Sequence, residues 1–361
     1  MYDIDFFQKA ESIKQQLVSG SINRSDMLAI EQALETLRSE SPHLFNVETT
    51  NHCNMTCIMC PRTTLMTRDI QWMGKEHFEH LLDQLIPHSE ANLEEFWSFI
   101  RDQYGIDAEI TSEDAFYFYV VSRCVILHGF GEPLVDKNIA ERVQACTDRG
   151  LPTYFSCVPA NINLKKIRKV LEAGLTVLKF SMDGLDDELQ KKIRGKKNNF
   201  DKSYEAILEV INLKETEGFS TLIVPCMIAL SEDSFSKEMH HQFLQLWEGK
   251  NVFAYVKSQD NRWYHDEDAS KRNRSHYAKQ YCEFPWTSMT VMANGKVVPC
   301  TQDYDCEISL GNALKTPLKD IWNSEQYSDF RRWHVTGHFP KGHKCLDRCD
   351  QTKLFQKLSD K

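Results

Sequence analysis

The stretch TTNHCNMTCIMCPRT, residues 49–63, places Cys53, Cys57 and Cys60 at the spacing C-x3-C-x2-C. It directly follows LFNVE at 44–48, a run of apolar and aromatic residues that predicts a strand ending where the cysteine segment begins. Three thiolates on one tight loop can bind three irons of a cubane and leave its fourth iron without a protein ligand. An open coordination position is typical of a catalytic metal centre.

A structural zinc ion is the alternative occupant of this loop. Zinc in structural sites takes four ligands, and His52 could supply the fourth beside the three cysteines. His52 directly adjoins Cys53, however, so two neighbouring side chains would have to reach one ion. The spacing therefore favours an iron–sulfur cluster and leaves zinc open.

The composition excludes several classes of protein and isolates the cysteines as the unusual feature. The 361 residues are 41% hydrophobic and 26% charged, and a net charge of -9 argues against a nucleic-acid partner. No apolar run reaches the roughly 20 residues of a membrane helix, and the N-terminus MYDIDFFQKAESIKQQ lacks the pattern of a secretory signal. We therefore expect a cytoplasmic protein without membrane contact. Disulfides are disfavoured in that compartment, so 12 cysteines indicate metal binding or catalysis.

Strand-like and helix-like segments alternate from about residue 43 onwards. Strands are predicted at 44–48, 124–128, 153–157, 177–182, 221–228 and 252–256. Helical patterns lie between them at 137–149, 164–173, 201–217 and 234–247. Strand–helix units in series predict an α/β fold whose parallel strands are joined by right-handed crossovers. Six units are too few for a closed eight-stranded barrel, so we predict an open, partial (β/α)6 barrel.

The sequence also predicts a division into regions. An acidic, aromatic-bearing segment at 87–118 interrupts the alternation and is interpreted as an inserted helical lid or packing element, with a solvated surface insertion as the alternative. The predicted regions are an N-terminal helical extension at 1–42, the barrel at 43–256, a polar linker at 257–280, a small cysteine-bearing module at 281–349 and a tail at 350–361.

Three further segments follow the cysteine loop, and their order along the chain matches that of a known family of enzymes. They are LHGFGEPL at 127–134, FSCVPAN at 155–161 and SMDGLDDELQKKIRG at 181–195. Together with the cysteine spacing after the first strand of a partial barrel, they resemble the radical S-adenosylmethionine (SAM) superfamily. The resemblance implies a [4Fe–4S] cluster on the three cysteines, with the amino and carboxylate groups of SAM on the open iron. Cleavage of SAM would then give methionine and a 5′-deoxyadenosyl radical.

The resemblance also implies which residues contact SAM. Glycines in the glycine–glutamate motif would let backbone carbonyls approach the methionine amino group, although an ordinary strand-to-helix turn is the alternative there. The fork of Arg194 would suit the SAM carboxylate, with a solvated helix residue as the alternative. Ser156 would bond the ribose or the carboxylate. The full set is Gly129, Phe130, Gly131, Glu132, Ser156, Ser181, Asp183 and Arg194.

A second group of cysteines lies near the C-terminus, and its first two members, Cys282 and Cys300, flank a predicted hairpin with Asn294-Gly295 at its turn. Cys282, Cys300, Cys345 and Cys349 are a complete ligand set for an auxiliary [4Fe–4S] cluster, and structural zinc would satisfy the same thiolates. CEFPW at 282–286, GN at 311–312 and IWNS at 321–324 resemble the SPASM/Twitch extension of radical SAM enzymes, in the shorter Twitch form with one cluster. The final pair is C-x3-C instead of C-x2-C, so Cys306 could replace Cys345 or Cys349.

Cys226 and Cys306 lie outside both predicted ligand sets. A free cysteine is most often a small buried apolar residue, and that is the first interpretation of both. The alternative is a hydrogen-atom donor to a substrate radical, a role that the resemblance to sugar-epimerising relatives implies.

The reaction is predicted only in outline. The resemblance implies an oxidoreductase that abstracts hydrogen from a small-molecule substrate and oxidises a secondary alcohol of a sugar or aminocyclitol. A reductant such as flavodoxin or ferredoxin would supply the electron for SAM cleavage. An epimerase with a cysteine hydrogen donor and a peptide maturase that crosslinks or epimerises are the alternatives, followed by a non-catalytic iron–sulfur protein.

Overall fold

A computed structural model describes residues 1–19, 21, 26–230, 234–258 and 282–349. Six parallel strands lie side by side in chain order and form the open barrel that the sequence predicts. The α/β class and the partial barrel are therefore confirmed. The strands are β1 (Leu44–Val47), β2 (Val125–Ile126), β3 (Thr153–Cys157), β4 (Val177–Ser181), β5 (Leu222–Ala229) and β6 (Tyr255–Ser258).

Helices follow the strands and cover the outer face of the sheet. Their boundaries lie within a few residues of those predicted from the sequence. Apolar residues recur at helical spacing, and asparagine or aspartate caps several N-termini. The helices of the barrel are α4 (Pro61–Thr64), α5 (Lys75–Leu82), α6 (Glu90–Tyr104), α7 (Glu113–Arg123), α8 (Ile139–Thr147), α9 (Leu164–Glu172), α10 (Asp187–Arg194), α11 (Phe200–Glu217) and α12 (Ser234–Gln245).

The strands alternate between an outer, helix-facing side and an inner side. Outward side chains such as Leu178 and Phe180 on β4 are fully buried in the main core beneath the helices. Inward side chains, among them Tyr154, Val224 and Tyr255, form a separate cluster inside the barrel. The period of two in β4 and its neighbours thus creates an enclosed inner face that is free to carry polar groups.

The segment predicted as an insertion at 87–118 forms α6 and α7, and α7 continues to Arg123. Phe96 and Trp97 of α6 pack with the N-terminal residues Ile4 and Phe7. Phe116 of α7 packs with the inner face of the barrel. The segment is therefore a packing element, and the alternative of a solvated surface insertion is wrong. The described part of the N-terminal region forms the helices α1 (Ile4–Lys9), α2 (Glu11–Ser19) and α3 (Met27–Leu37).

The C-terminal region continues the same sheet. Strand β7 (Met289–Val291) pairs in parallel with β1, and β8 (Lys296–Val298) and β9 (Gly311–Asn312) extend the sheet in antiparallel order. The hairpin is confirmed, and residues 292–295 form its turn, which the Gly295 amide closes by donating to the Met292 carbonyl at 2.8 Å while Gly295 adopts φ +79°. Helices α13 (Phe284–Thr287), α14 (Leu318–Trp322), α15 (Glu325–Thr336) and α16 (Lys344–Asp347) complete the region. Of the predicted linker, 257–258 belong to β6, while 259–280 and the tail at 350–361 lie outside the described residues.

Candidate functional site

The cysteine loop runs from the end of β1 to α4 and holds three thiols in one apolar cluster. Cys53, Cys57 and Cys60 pack there with Met55 and Val158. The Cys60 amide donates to the Cys57 carbonyl at 3.2 Å, which closes the loop on itself. The Met55 amide donates to Cys53 Sγ at 3.4 Å. The predicted ligands of the first cluster are therefore brought together by the fold.

Three thiols on one loop can serve a cluster with one open iron, because each thiolate of a cubane binds a different iron. Within the ranges that the structure describes, no group of three His, Cys, Asp or Glu side chains is arranged to hold a single metal ion. The assignment of these cysteines to a [4Fe–4S] cluster stays a prediction. Burial raises the pKa of all three thiols, so binding of a cluster must release their protons.

The glycine–glutamate loop after β2 packs directly against the cysteine loop. A Cβ on Gly131 would lie 2.1 Å from the Thr50 carbonyl oxygen, and one on Gly129 would lie 2.8 Å from Cγ of Glu48. Real Cβ atoms do not approach other atoms this closely, so the contact between the loops requires glycine at both positions. Phe130, between them, is buried.

Glu132 is buried, and its carboxylate accepts hydrogen bonds from the amides of Leu134 at 3.1 Å and Val158 at 3.0 Å. Burial raises the pKa of Glu132 to about 7, while those amides and the Asn161 side chain favour the ionised form. Asn161 also pairs with Asn54 of the cysteine loop through two amide hydrogen bonds of 2.8 and 3.0 Å. The sequence prediction missed Asn161, whose signal was an asparagine two residues after Pro159 in the segment that follows β3.

Ser156 and Ser181 end neighbouring strands on the inner face of the barrel. Their Oγ atoms lie 3.1 Å apart. Cys226 on β5 is in register with Ser181, so its buried thiol belongs to the same inner layer. The structure therefore groups the two predicted SAM contacts with one of the two predicted hydrogen donors.

Arg194 is buried with only 7% of its surface exposed, so the alternative of a solvated helix residue is wrong. Its guanidinium forms an ion pair with Asp183 at 2.5 Å and lies 3.8 Å from Cys57 Sγ. The other carboxylate oxygen of Asp183 accepts from the Ile228 amide at 2.8 Å. The fork that the resemblance assigned to the SAM carboxylate is thus already engaged by Asp183, and the SAM contact stays a prediction.

Glu48 and Arg68 form a buried ion pair that the sequence prediction missed. Two nitrogens of Arg68 donate to the two carboxylate oxygens of Glu48 at 2.8 and 3.0 Å. The same carboxylate accepts from the amides of Phe130 and Ala293, both at 3.1 Å, and Arg68 donates to the Tyr304 carbonyl at 2.5 Å. The pair thus joins the cysteine loop, the glycine loop and the C-terminal hairpin. Its signal in the sequence was a glutamate directly after a buried strand.

A cavity of about 270 Å³ opens on the inner face of the barrel. Five parts of the described chain line it, and two of the C-terminal lining residues directly follow Cys300. The lining residues are Phe45, Asn46, Ile126, Tyr154, Lys179, Tyr255 and Lys257 of the strands, Glu113, Phe116, Tyr117 and Val120 of α7, His128, Gly129 and Phe130 after β2, Tyr2 of the N-terminal region, and Phe284, Thr301 and Gln302 of the C-terminal region. The predicted SAM loop and the predicted auxiliary-cluster segment therefore border one cavity.

The four predicted auxiliary ligands lie in adjoining parts of the C-terminal region. Cys282 and Cys300 pack beside Phe284, and the charges of both would raise the pKa of buried Tyr327 if they were ionised. Cys300 and Cys349 are partly buried and pack against the main core, of which Cys345 is part. Cys300 is the member common to both groups. The ligand set fits a cluster and stays a prediction.

Cys306 lies elsewhere. It is buried beside Phe130 and Tyr304, in a cluster that Cys60 and Met66 of the cysteine loop also touch. Its backbone adopts φ +57°, an uncommon conformation for a residue with a side chain. The structure thus places Cys306 toward the first cluster loop and not among the four predicted auxiliary ligands.

Two family profiles match this sequence. The Radical SAM superfamily matches residues 47–237, and the SPASM iron–sulfur cluster-binding domain matches residues 282–350. A curated relative, the S-adenosyl-L-methionine-dependent 2-deoxy-scyllo-inosamine dehydrogenase of Niallia circulans, is 31% identical over 77 residues, which are 21% of this chain and 28% of the relative. Both resemblances inferred from the cysteine patterns are confirmed.

Solved structures add a likeness of fold. Streptococcus suis SuiB bound to precursor peptide SuiA has a TM-score of 0.58 at 13% identity, over 98% of this chain and 83% of SuiB. BtrN in complex with AdoMet and 2-DOIA has a TM-score of 0.45 at 16% identity, over 81% of this chain and 87% of BtrN. None of the helices in the described ranges is long and apolar enough to cross a membrane.

Proposed function

Because this chain belongs to the radical SAM superfamily, we propose that it oxidises a secondary alcohol of a sugar or aminocyclitol. The family supplies SAM and a [4Fe–4S] cluster, and the SPASM domain adds auxiliary iron–sulfur chemistry. The curated relative is by name a dehydrogenase that depends on SAM, which supports this choice among radical SAM reactions. A reductant such as flavodoxin or ferredoxin would supply the electron that starts each turnover.

The cavity inside the barrel is the observation that carries the proposal. One wall is formed by Gly129 and Phe130 beside the cysteine loop, and another by Thr301 and Gln302 directly after Cys300. A substrate in the cavity therefore lies between the two predicted cluster segments. When bound, SAM and its cluster supply the one-electron chemistry that removes a hydrogen atom from the substrate. The volume of about 270 Å³ fits a single ring better than a peptide segment.

Alcohol oxidation also requires a group that accepts the hydroxyl proton. A secondary alcohol that becomes a ketone loses one hydrogen atom, one proton and one electron. In the described part of the cavity wall, Glu113 is the one carboxylate, and we assign it the proton. The electron would go to an auxiliary cluster, for which Cys282, Cys300, Cys345 and Cys349 would be the ligands. The hydrogen atom, the proton and the electron that the alcohol loses are thus each assigned an acceptor.

His128 is unsuited to the same task, although it lines the cavity. Its Nδ1 accepts a hydrogen bond from the Ser156 amide at 3.1 Å, so the ring proton is on Nε2. Burial and the charges of Lys179 and Lys257 lower the pKa of His128 to about 3. The ring therefore stays neutral and serves as a hydrogen-bond donor.

An anaerobic turnover experiment tests the proposal. The holoenzyme is incubated with SAM, a reductant and deuterated candidate alcohols, and mass spectrometry follows both 5′-deoxyadenosine and product. Dehydrogenation gives a product two hydrogens lighter, deuterium in 5′-deoxyadenosine, and a rate that falls about a hundredfold in Glu113→Gln. Glu109→Gln, which changes an exposed carboxylate outside the cavity, serves as the matched control.

Epimerisation is the second candidate, because buried Cys226 is in register with Ser181 inside the barrel. Burial raises the pKa of Cys226, which keeps it a thiol that could donate hydrogen. A product of unchanged mass with one solvent deuterium, lost in Cys226→Ala, would replace dehydrogenation by epimerisation. The same product lost in Cys306→Ala would assign the donor to Cys306. A crosslinked peptide product would overturn both.

A further inference from the structure

Two lysines project into the cavity from strands on either side of β5. Lys179 lies on β4 and Lys257 on β6, and both are half-buried. No carboxylate of the described residues forms an ion pair with either ammonium group. Lys179 donates to the Tyr255 hydroxyl at 3.5 Å and lies 5.9 Å from the centre of the Tyr154 ring. A half-buried charge without a counter-charge is costly, and within the described residues neither ammonium group has one, so an anion in the cavity would be stabilised by both.

The ammonium groups of Lys179 and Lys257 affect the same region of the cavity. The charges of both lysines help to lower the pKa of His128, which follows β2, and oppose the rise that burial causes in the pKa of Cys226 on β5. His128 adds a third donor, because its Nδ1 is occupied and its Nε2 carries the proton. Two ammonium groups and one imidazole N–H thus surround one region of the cavity.

The described lining of the cavity has a charge opposite in sign to that of the whole chain. The chain carries a net charge of -9, whereas the charged lining residues that the structure describes are two lysines and one carboxylate, Glu113. An amine on the substrate would meet two like charges in an enclosed space, and a carboxylate or phosphate would meet two opposite charges. The curated relative is named for an amine-bearing cyclitol, so the charge pattern separates the substrate of this chain from that one.

We infer that the substrate carries an anionic group, a carboxylate or a phosphate, which binds between Lys179 and Lys257. Tyr154 and Tyr255 lie beside these lysines and supply ring faces against which an alcohol-bearing ring can pack. This inference rests on the proposed function, because it takes the cavity to be the substrate site. It narrows the sugar or aminocyclitol to an acidic sugar or a sugar phosphate.

Equilibrium dialysis of the SAM-loaded holoenzyme tests the inference with three small probes: inorganic phosphate, acetate and methylammonium. Each fits within about 270 Å³, so ring stereochemistry does not enter. We expect one phosphate or acetate per chain at the cavity and no methylammonium. Lys179→Gln and Lys257→Gln should each weaken anion binding about tenfold. Lys165→Gln, which removes an equal charge from an exposed position, should leave it unchanged.

The outcomes separate the inference from the function on which it rests. Tighter binding of phosphate than of acetate would identify a phosphate ester, and the reverse would identify a carboxylate. Preference for methylammonium, or anion binding that survives both lysine substitutions, would overturn the inference. If the lysine variants lost affinity for SAM to the same extent as for the anion, the inference would also be overturned, because the lysines would then bind the SAM carboxylate. Anion binding without any SAM-dependent 5′-deoxyadenosine would sink the proposed function and keep the anion site.

Discussion

Glu48 and Arg68 form a bidentate ion pair, with N–O distances of 2.8 and 3.0 Å, at the point where three functional segments meet. The carboxylate is fully buried and the guanidinium nearly so. Glu48 also accepts from the amide of Phe130 in the glycine loop and of Ala293 in the C-terminal hairpin. One carboxylate therefore fixes the relative positions of Arg68, the glycine loop and the C-terminal hairpin.

Glu48→Gln should destabilise the protein strongly, because it leaves the buried guanidinium of Arg68 without its counter-charge. We expect a loss of about 3–5 kcal/mol in the free energy of unfolding, measured by anaerobic urea denaturation of the holoenzyme. Arg101→Met breaks an exposed pair with Asp107 and should change the same quantity by less than about 1 kcal/mol. Equal free energies of unfolding for the two variants would show that the buried pair stabilises the protein no more than the exposed pair does.

Gly131→Ala should displace the cysteine loop, since its Cβ would lie 2.1 Å from the Thr50 carbonyl oxygen. We expect loss of about four irons per chain, measured by iron analysis after anaerobic reconstitution. Gly74→Ala is the matched control, because its Cβ would meet only the flexible ring of His77 at 3.3 Å. Full iron content in Gly131→Ala would mean that the two loops adjust without loss of the cluster.

Simultaneous replacement of Cys53, Cys57 and Cys60 by Ala should remove one cluster and abolish SAM cleavage while the C-terminal cluster remains. Iron analysis and the yield of 5′-deoxyadenosine measure the two effects. Cys146→Ala, which alters a buried cysteine of α8, should keep full iron content. Unchanged 5′-deoxyadenosine from the triple variant would contradict the assignment of these cysteines to the SAM-binding cluster.

Arg194→Lys should weaken SAM binding about tenfold, because a point charge replaces a planar fork that contacts both Asp183 and the cysteine loop. Equilibrium binding of SAM to the reconstituted variant measures the effect, with iron content as the control for intact clusters. An affinity equal to that of the wild type would restrict Arg194 to its ion pair with Asp183.

Protonation of His128 should make stability depend on pH. The folded state lowers the pKa of His128 from 6.5 to about 3, so the unfolded state binds the proton first as pH falls. Stability is therefore lost below about pH 6.5, by about 1.4 kcal/mol at pH 5.5. His128→Gln should flatten this part of the profile, measured by urea denaturation between pH 5.5 and 8. A profile with the wild-type slope would assign the proton uptake to other groups.

The sequence predicted those parts of the site that depend on local spacing. Cys53, Cys57 and Cys60 are close in the chain, and the loop brings them together as expected. The six parallel strands were predictable for the same reason, because alternating residue patterns are local. The position of Cys306, beside Cys60 and not among the auxiliary cysteines, depends on how distant segments meet.

The missed residues are those whose partners lie far away in the chain. Lys179 and Lys257 come from strands on either side of β5, and only the register of the sheet places both in one cavity. Arg68 lies in a loop without periodicity, so nothing local indicates its pairing with Glu48. Sequence patterns describe single elements, whereas these sites are made by the contacts between elements.

The pairing of β7 with β1 also determines the order in which this protein can mature. Ala293 donates to Glu48 across 245 residues of chain, and β1 has no partner on that side until β7 arrives. Contacts between segments so distant form late in folding, and during synthesis the edge of β1 is left open until the C-terminal region has left the ribosome. The loop that receives the first cluster is therefore completed only once β7 has been translated and has paired with β1. We expect the first cluster to be assembled after that pairing, and chains truncated before β7 to expose an unpaired strand edge that promotes aggregation.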